Sequence, residues 1–376
     1  MVKILFDLQI SSLDIDGKLL ITSDSNYIFM KSMIEGLSKR GHECVILMPW
    51  DEQRIGDGYQ SMPNAVLYYV DFHGIVQDRF FVDNYVKKVI NKENPDILWT
   101  NDPCRVGQYR SVYDGIIIAY NHWIDSPDNP VIELKNSYFF RQIEAAWKAD
   151  YIAFNSQTGY ERYLGGLRLI NGLKPPQAKP LIINPPLNTE LIGSIAKIAI
   201  KNDYPTLIYN HRLSSAPQYA NAISSLERIL DRLHVPGLKI IITNPSGKAH
   251  PILNHPKVIN SVTNSYEEYL THISKGWVHL TLFDYPGQWS MSMGEGLSLG
   301  LRCIFPKFAG YAEMTKEWFF PKENEYVTTM GAVTNIKRLL DFGPYAQEEQ
   351  GKFFRNKFSI DNIVEKFIKD VNIGSI

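Results

Sequence analysis

The chain alternates short apolar runs with longer amphipathic segments, and this alternation predicts parallel sheets covered by helices. The apolar runs are rich in valine and isoleucine and lack a strict period of two, which is typical of strands buried on both faces. In the first half the pattern predicts strands at residues 3–8, 43–48, 65–70, 96–100, 115–120 and 151–154. It predicts helices at residues 26–40, 80–92 and 131–148.

The same pattern starts again after a proline-rich segment. Prolines between residues 175 and 186 interrupt the rhythm, because proline removes a backbone donor and favours extended chain. Beyond them we predict strands at residues 206–209, 238–243, 257–262 and 278–283, and helices at 218–233, 266–274 and 361–371. The chain is therefore predicted to form two doubly wound α/β domains, residues 1–185 and 186–358, with 359–376 as a helix crossing back to the first.

Composition narrows the function classes. With 376 residues the chain can bury two cores, and its net charge of −1 gives no global field for nucleic acid or anionic membrane, so such a contact requires a local patch. Cys44, Cys104 and Cys303 are odd in number and far apart, which favours reduced thiols and a cytoplasmic location. Metal-ligand spacing, a signal peptide and an apolar run long enough to span a bilayer are not found in the sequence.

The most informative segment is residues 287–300, G-Q-W-S-M-S-M-G-E-G-L-S-L-G. It predicts a polar loop that enters a short helix ending at a glycine, so that backbone N–H groups face a diphosphate while Glu295 lies further on for a sugar hydroxyl. The segment resembles the nucleotide-sugar site of GT-B glycosyltransferases, in particular the large retaining family with the consensus E-x7-E-A-x3-G-x-P-V. Glu295 matches the second acid, and Gly287 stands where the first is expected.

Three further strings carry the resemblance. The string G-L-S-K-R-G-H-E at residues 36–43 looks like the first helix and second strand of many GT-B enzymes, although residues 22–25, T-S-D-S, replace their usual glycine-rich turn. The strings N-H-R-L at 210–213 and F-N-S at 154–156 resemble glycosyltransferases that act on a modified nucleoside of transfer RNA; N-H-R is also similar to phage enzymes that glycosylate hypermodified DNA bases. The lysine that usually follows the arginine is missing from S-S-A-P-Q at 214–218.

The resemblance implies roles for individual residues. His122 and Arg212 are the expected catalytic residues, His122 touching the sugar and Arg212 clamping the diphosphate. The expected donor-binding residues are His211, Arg212, Ser290, Met291, Ser292, Glu295, Tyr266 and Glu268, and the expected acceptor-side residues are Ser23, Asp24, Asp125 and Asn155. Structural alternatives stay open for several of them: a core role for His122, a turn before Pro127 for Asp125, a surface position for Arg212, and a capping box for Ser265 with Glu268.

The resemblance implies a retaining glycosyltransferase that moves a sugar from a nucleotide diphosphate donor to a hydroxyl without an essential metal. The favoured acceptor is a hydroxymethylated base in DNA, as in a phage enzyme working in host cytoplasm, with modified RNA as a related partner. A basic run that would meet its phosphates comprises Arg162, Arg168, Lys174 and Lys179. The alternatives are a transferase for lipid-linked or cell-surface polysaccharide, and a nucleotide-sugar-binding protein or epimerase of the same fold.

Overall fold

The computed structural model describes residues 1–8, 24–50, 65–71, 84–121, 136–168, 176–211, 213, 217–244, 247–263, 265–282 and 289–375. The chain divides into two compact units. The first consists of Met1–Pro186 together with Ile360–Ile376, and the second of Leu187–Ser359.

The first unit is built on a parallel sheet of seven described strands in the order β3-β2-β1-β4-β5-β6-β7. The strands are β1 Lys3–Asp7, β2 Glu43–Trp50, β3 Ala65–Asp71, β4 Ile97–Thr100, β5 Ile116–Asn121, β6 Tyr151–Phe154 and β7 Lys179–Ile182. Both faces are covered by apolar clusters, as the unbroken valine- and isoleucine-rich runs predict.

Helices flank this sheet on both sides. They are α1 Ser25–Ser38, α2 Asn84–Glu93, α3 Val106–Arg110, α4 Asn136–Lys148 and α5 Gln157–Arg168, with the C-terminal α13 Ile360–Val371. Val364 and Phe367 of α13 are buried in the same cluster as α1. The approach is close at Gly36, where an added Cβ would lie 2.6 Å from Val364.

The second unit has a parallel sheet of six described strands in the order β10-β9-β8-β11-β12-β13. The strands are β8 Thr206–Tyr209, β9 Lys239–Thr243, β10 Val258–Ser261, β11 Val278–Leu280, β12 Arg302–Pro306 and β13 Glu325–Tyr326. The helices are α6 Thr189–Ile198, α7 Pro217–Arg232, α8 Tyr266–Ser274, α9 Met291–Ser298, α10 Ala309–Thr315, α11 Thr329–Asp341 and α12 Glu348–Lys357.

The structure changes the predicted strands at β7 and β11, and it adds strand β13 and helices α3, α6, α10, α11 and α12, which were not predicted. Lys179–Ile182, assigned to the proline-rich break, is strand β7, which pairs with β6 at the edge of the first sheet. Pro180 fits there because an edge strand needs no donor on its outer side. Strand β11 is shorter than predicted and ends at Leu280. The three cysteines are free and buried, as expected for reduced thiols.

In each sheet one pair of neighbouring strands marks the point where the strand order reverses. It is β1 with β4 in the first unit and β8 with β11 in the second. Doubly wound sheets bind their ligands outside the carboxyl ends of such a pair. In the second unit, Asn210 and His211 follow β8 at this edge, and Thr281 follows β11.

Candidate functional site

Helix α9 begins close to the carboxyl edge of the second sheet, where hydrogen bonds join its first turn to Asn210 and His211. Ser290 is the N-cap, and its hydroxyl accepts a hydrogen bond from the Met293 N–H at 3.2 Å. The N–H groups of Met291 and Ser292 lie in the first turn, where no carbonyl of the helix can reach them. The helix dipole adds partial positive charge at the same end. At the other end Gly300 has φ +72°, the left-handed conformation expected of a terminating glycine.

Glu295 lies on the same helix and is buried, with 4% of its surface exposed. Tyr266 Oη donates a hydrogen bond to Glu295 Oε1 at 2.8 Å, and Tyr269 Oη donates to Oε2. The two phenol rings stack, with centroids 5.8 Å apart and an angle of 19° between the rings. A carboxylate has about four acceptor positions, so each oxygen keeps capacity for a further donor.

Burial raises the pKa of Glu295 from 4.5 to about 7, and the hydrogen bonds from Tyr269 and Tyr266 oppose that rise. Desolvation disfavours the charged carboxylate, whereas the phenol donors favour it. The pKa values of Tyr266 and Tyr269 are raised well above their usual range, first by burial and then by the charge of Glu295. The phenols therefore stay protonated and act as donors near neutral pH.

A buried amide connects this carboxylate to the sheet. Asn210 Nδ2 donates to Tyr269 Oη at 2.7 Å and to the backbone carbonyl of Ser292 at 3.3 Å. Asn210 Oδ1 lies 2.6 Å from Nε2 of His279 in β11. Because an amide oxygen only accepts, the His279 Nε2 carries the hydrogen. Burial lowers the pKa of His279 to about 3, so its imidazole is neutral.

A second imidazole lies next to the first turn of α9. His211 Nδ1 is 3.1 Å from Ser292 Oγ. Burial lowers the pKa of His211 to about 3. The imidazole beside Ser292 is therefore neutral near pH 7.

The structure brings together several of the predicted donor residues: His211, Ser290, Met291, Ser292, Glu295 and Tyr266 all belong to α9 or to the elements bonded to it. Glu268 lies in the first turn of α8, the helix that begins at Tyr266. Its N–H donates to Ser265 Oγ at 3.1 Å, which is the helix cap that the sequence analysis gave as an alternative role. The roles assigned to these residues stay predictions.

On the acceptor side, Asp24 is buried as the N-cap of α1 and accepts from the Asn26 N–H at 2.8 Å. Asn155 is buried after β6, where its Oδ1 accepts from Ser156 Oγ at 3.2 Å. Both contacts are local: the first caps α1, and the second joins two neighbouring side chains. His122, Asp125, Ser23 and Arg212 lie outside the described residues.

Sequence inspection missed three members of the buried network: Asn210 as a site residue, Tyr269 and His279. Tyr269 follows Tyr266 by three positions, which places both rings on one face of a helix. A histidine at the centre of the short apolar strand V-H-L was the available signal for His279.

Within the described part of the chain, no three His, Cys, Asp or Glu side chains are grouped to hold a metal ion. Over the same residues, no helix combines the length and apolarity needed to cross a membrane.

Comparison with solved structures shows the fold. No protein-family model and no curated sequence matches the chain significantly. Anabaena HepE in complex with UDP superposes with a TM-score of 0.67 at 11% identity, covering 99% of this chain and 100% of that one. Sucrose-phosphate synthase from Thermosynechococcus elongatus gives 0.70 at 13%, covering 99% and 98%. AviGT4, a glycosyltransferase of avilamycin A biosynthesis, gives 0.61 at 13%, covering 98% and 97%. The chain is similar to these proteins throughout its length and has the GT-B fold of two Rossmann-like units.

Proposed function

We propose that this protein is a glycosyltransferase that binds a nucleoside diphosphate sugar in its second unit. The observation that carries the proposal is the start of α9, where the first-turn N–H groups, the Ser290 cap and the buried Glu295 belong to one helix beside the β8–β11 edge. The N–H groups suit the diphosphate, and the carboxylate suits the ribose hydroxyls. HepE, a structural neighbour, is recorded with UDP and with UDP-glucose, which makes UDP sugars the first donors to test.

The proposed reaction is a transfer with retention of configuration. The bond between the anomeric carbon and the β-phosphate oxygen breaks, and the nucleoside diphosphate leaves with the electron pair. The acceptor hydroxyl oxygen bonds to the same carbon, and its proton passes to the departing phosphate. Charge on that phosphate would be offset by the α9 N-terminus and by Arg212, so no metal is assigned a role. His122 would contact the sugar.

For the acceptor we propose the hydroxyl of a hydroxymethylated base in nucleic acid. The support is the similarity of the N-H-R-L and F-N-S strings to nucleoside-directed enzymes. The base hydroxyl has to reach the donor sugar, and we propose that the target base leaves the stack to do so. A transferase for lipid-linked or cell-surface saccharide would share the donor chemistry and differ only in the acceptor.

Donor binding is tested with two matched helix-cap variants. Ser290→Ala removes the cap of α9, and Thr328→Ala removes that of α11, whose hydroxyl accepts from the Gly331 N–H at 3.1 Å. Each substitution should cost about 1 kcal/mol of stability. Only Ser290→Ala should weaken binding of UDP, GDP or ADP, measured by calorimetry. Equal nucleotide affinity in both variants would show that the diphosphate does not bind at the start of α9.

The acceptor is tested by nucleotide release. UDP-glucose, GDP-mannose and related donors are incubated with the protein alone, with hydroxymethylated DNA or RNA, and with the same polymers lacking the hydroxymethyl group. We expect release to be stimulated only by the modified polymers. If a saccharide or lipid acceptor stimulates release instead, the proposed transferase activity stands and the proposed nucleic-acid acceptor is wrong.

A further inference from the structure

The two tyrosines that hold Glu295 are placed differently. Tyr266, at the first position of α8, donates its hydroxyl to Oε1 at 2.8 Å and stacks on its neighbour. Tyr269, one turn further into the protein, donates to Oε2 and at the same time accepts from Asn210 Nδ2 at 2.7 Å. Tyr269 is thus the link between the carboxylate and the buried end of β8.

The hydrogen bonds through Tyr269 all run in one direction. His279 Nε2–H donates to Asn210 Oδ1 at 2.6 Å, Asn210 Nδ2–H donates to Tyr269 Oη, and the Tyr269 hydroxyl donates to Glu295. Each donor in such a chain polarises the next, and the chain ends on the oxygen that bears negative charge. The same Asn210 amide reaches the Ser292 carbonyl at 3.3 Å, which ties the chain to the first turn of α9.

We propose that Tyr269 is the positioning residue of the donor site: it orients the Glu295 carboxylate and favours its ionised form through the directed chain from Asn210 and His279. The orientation toward a ribose rests on the proposed function. The stabilisation of the charge is a property of the folded protein alone, and the two parts can be tested separately.

Besides burial, the two tyrosine hydroxyls are the described groups that shift the pKa of Glu295. Helix α8 contributes Tyr266 and Tyr269, the end of β8 contributes His211, and β11 contributes His279, both imidazoles being neutral. Among the cations of the elements packed on α9, Arg355 of α12 bonds to the Ser298 carbonyl, and Arg302 of β12 bonds to the Gly343 carbonyl. In α6, Glu190 lies in the first turn and Lys197 in the last, and α12 adds Glu348, Glu349, Lys352 and Lys357. Burial and the two phenol donors are the causes of the shifted pKa of Glu295.

The first test needs no nucleotide. Tyr269→Phe removes the donor that holds Oε2 and keeps the ring, and we compare its stability with wild type by urea unfolding at pH 5.5 and pH 8.5. At pH 5.5 Glu295 is mostly protonated in both proteins, whereas at pH 8.5 the wild type stabilises the charge through both tyrosines and the variant through Tyr266 alone. The loss of stability should therefore grow with pH. Tyr326→Phe is the control, since Tyr326 donates to the Thr281 carbonyl at 3.0 Å and has no bond to Glu295.

The second test measures UDP affinity between pH 5.5 and pH 9. Removing the Tyr269 hydroxyl should move the pKa of Glu295 further upward, and each unit of movement weakens UDP binding about tenfold at pH 6 while leaving pH 9 nearly unchanged. The titration of UDP itself is the same for all variants, so it cancels in the ratio of variant to wild-type affinity at each pH. Asn210→Ala should shift the profile in the same direction, and Tyr326→Phe should not shift it.

The outcomes separate the two proposals. If neither the stability loss nor the affinity loss of Tyr269→Phe changes with pH, Tyr269 is a packing residue and the inference is overturned. If UDP, GDP and ADP all fail to bind the wild type while the stability loss still grows with pH, the donor site is wrong and the charge-stabilising role of Tyr269 stands.

Discussion

Glu295→Gln should remove the part of the pH dependence of the free energy of unfolding that comes from this carboxyl group. The carboxyl group has a pKa of about 7 in the folded protein against 4.5 for the ordinary value, because burial disfavours the charge. Between these two values the unfolded chain has lost the proton while the folded chain keeps it. A raised carboxyl pKa therefore stabilises the fold at low pH, and that stabilisation is lost as the pH rises through about 7.

The shift corresponds to about 3 kcal/mol between pH 4.5 and the plateau above pH 7. Glutamine keeps the shape of the side chain and does not titrate, so any constant cost of the altered hydrogen bonds to Tyr266 and Tyr269 is the same at all pH values. Relative to wild type, the variant should gain about 3 kcal/mol between pH 4.5 and pH 8.5. For a unit of this size that is roughly 10 °C in melting temperature.

The assay is thermal and urea unfolding of both proteins across that range. Glu267→Gln, an exposed carboxylate on α8, is the matched control and should follow wild type. At saturating donor, Glu295→Gln should leave the pH profile of turnover unchanged, because the proposed role is binding. A stability difference that does not vary with pH would refute the buried, proton-holding carboxyl, and loss of the acidic limb of turnover would make Glu295 a proton-transfer group.

Three other outcomes are expected. Arg212→Ala should remove about 3 kcal/mol of transition-state stabilisation and so lower turnover, while the melting temperature stays unchanged. Near-normal turnover would show that Arg212 does not bind the diphosphate. Binding of hydroxymethylated DNA should fall steeply with salt, and Ala substitutions at Arg162, Arg168, Lys174 and Lys179 should flatten that slope in filter-binding titrations while donor hydrolysis stays the same; an unchanged slope would exclude this patch. Gly296→Ala should destabilise the second unit by about 2 kcal/mol, since its Cβ would lie 2.8 Å from the buried His279 ring, whereas Gly165→Ala, with nothing within 4 Å, should be neutral or stabilising in thermal melts.

Most strands and helices could be predicted because their signal is local. Valine- and isoleucine-rich runs between amphipathic segments identify a covered parallel sheet, and a glycine between a short helix and an apolar run identifies the end of α9 at Gly300. Strand β7 was missed because Pro180 is typical of a break, and only the position of β7 at a sheet edge makes it compatible with pairing.

The candidate site was predictable only where its residues are neighbours in the chain. Ser290 and Glu295 belong to one short segment, so their spacing is visible in the sequence. The partners of Tyr269 are separated from it by 59 positions at Asn210 and by 26 at Glu295. Such contacts are created by the order of strands in the sheet, which local periodicity does not specify.

The chemistry at the two strand-order reversals gives a physical reason for placing the donor in the second unit. In the first unit, the β1–β4 edge carries the buried Asp7, which accepts from Thr100 Oγ1 at 2.9 Å and is paired with Arg105 at 3.0 Å. A guanidinium already paired with a buried carboxylate offers a diphosphate little net positive charge. In the second unit the corresponding edge carries Asn210 and a neutral His211 beside the first turn of α9. The edge of the first unit therefore presents a buried carboxylate, whereas that of the second presents a helix N-terminus, the element better suited to a phosphate.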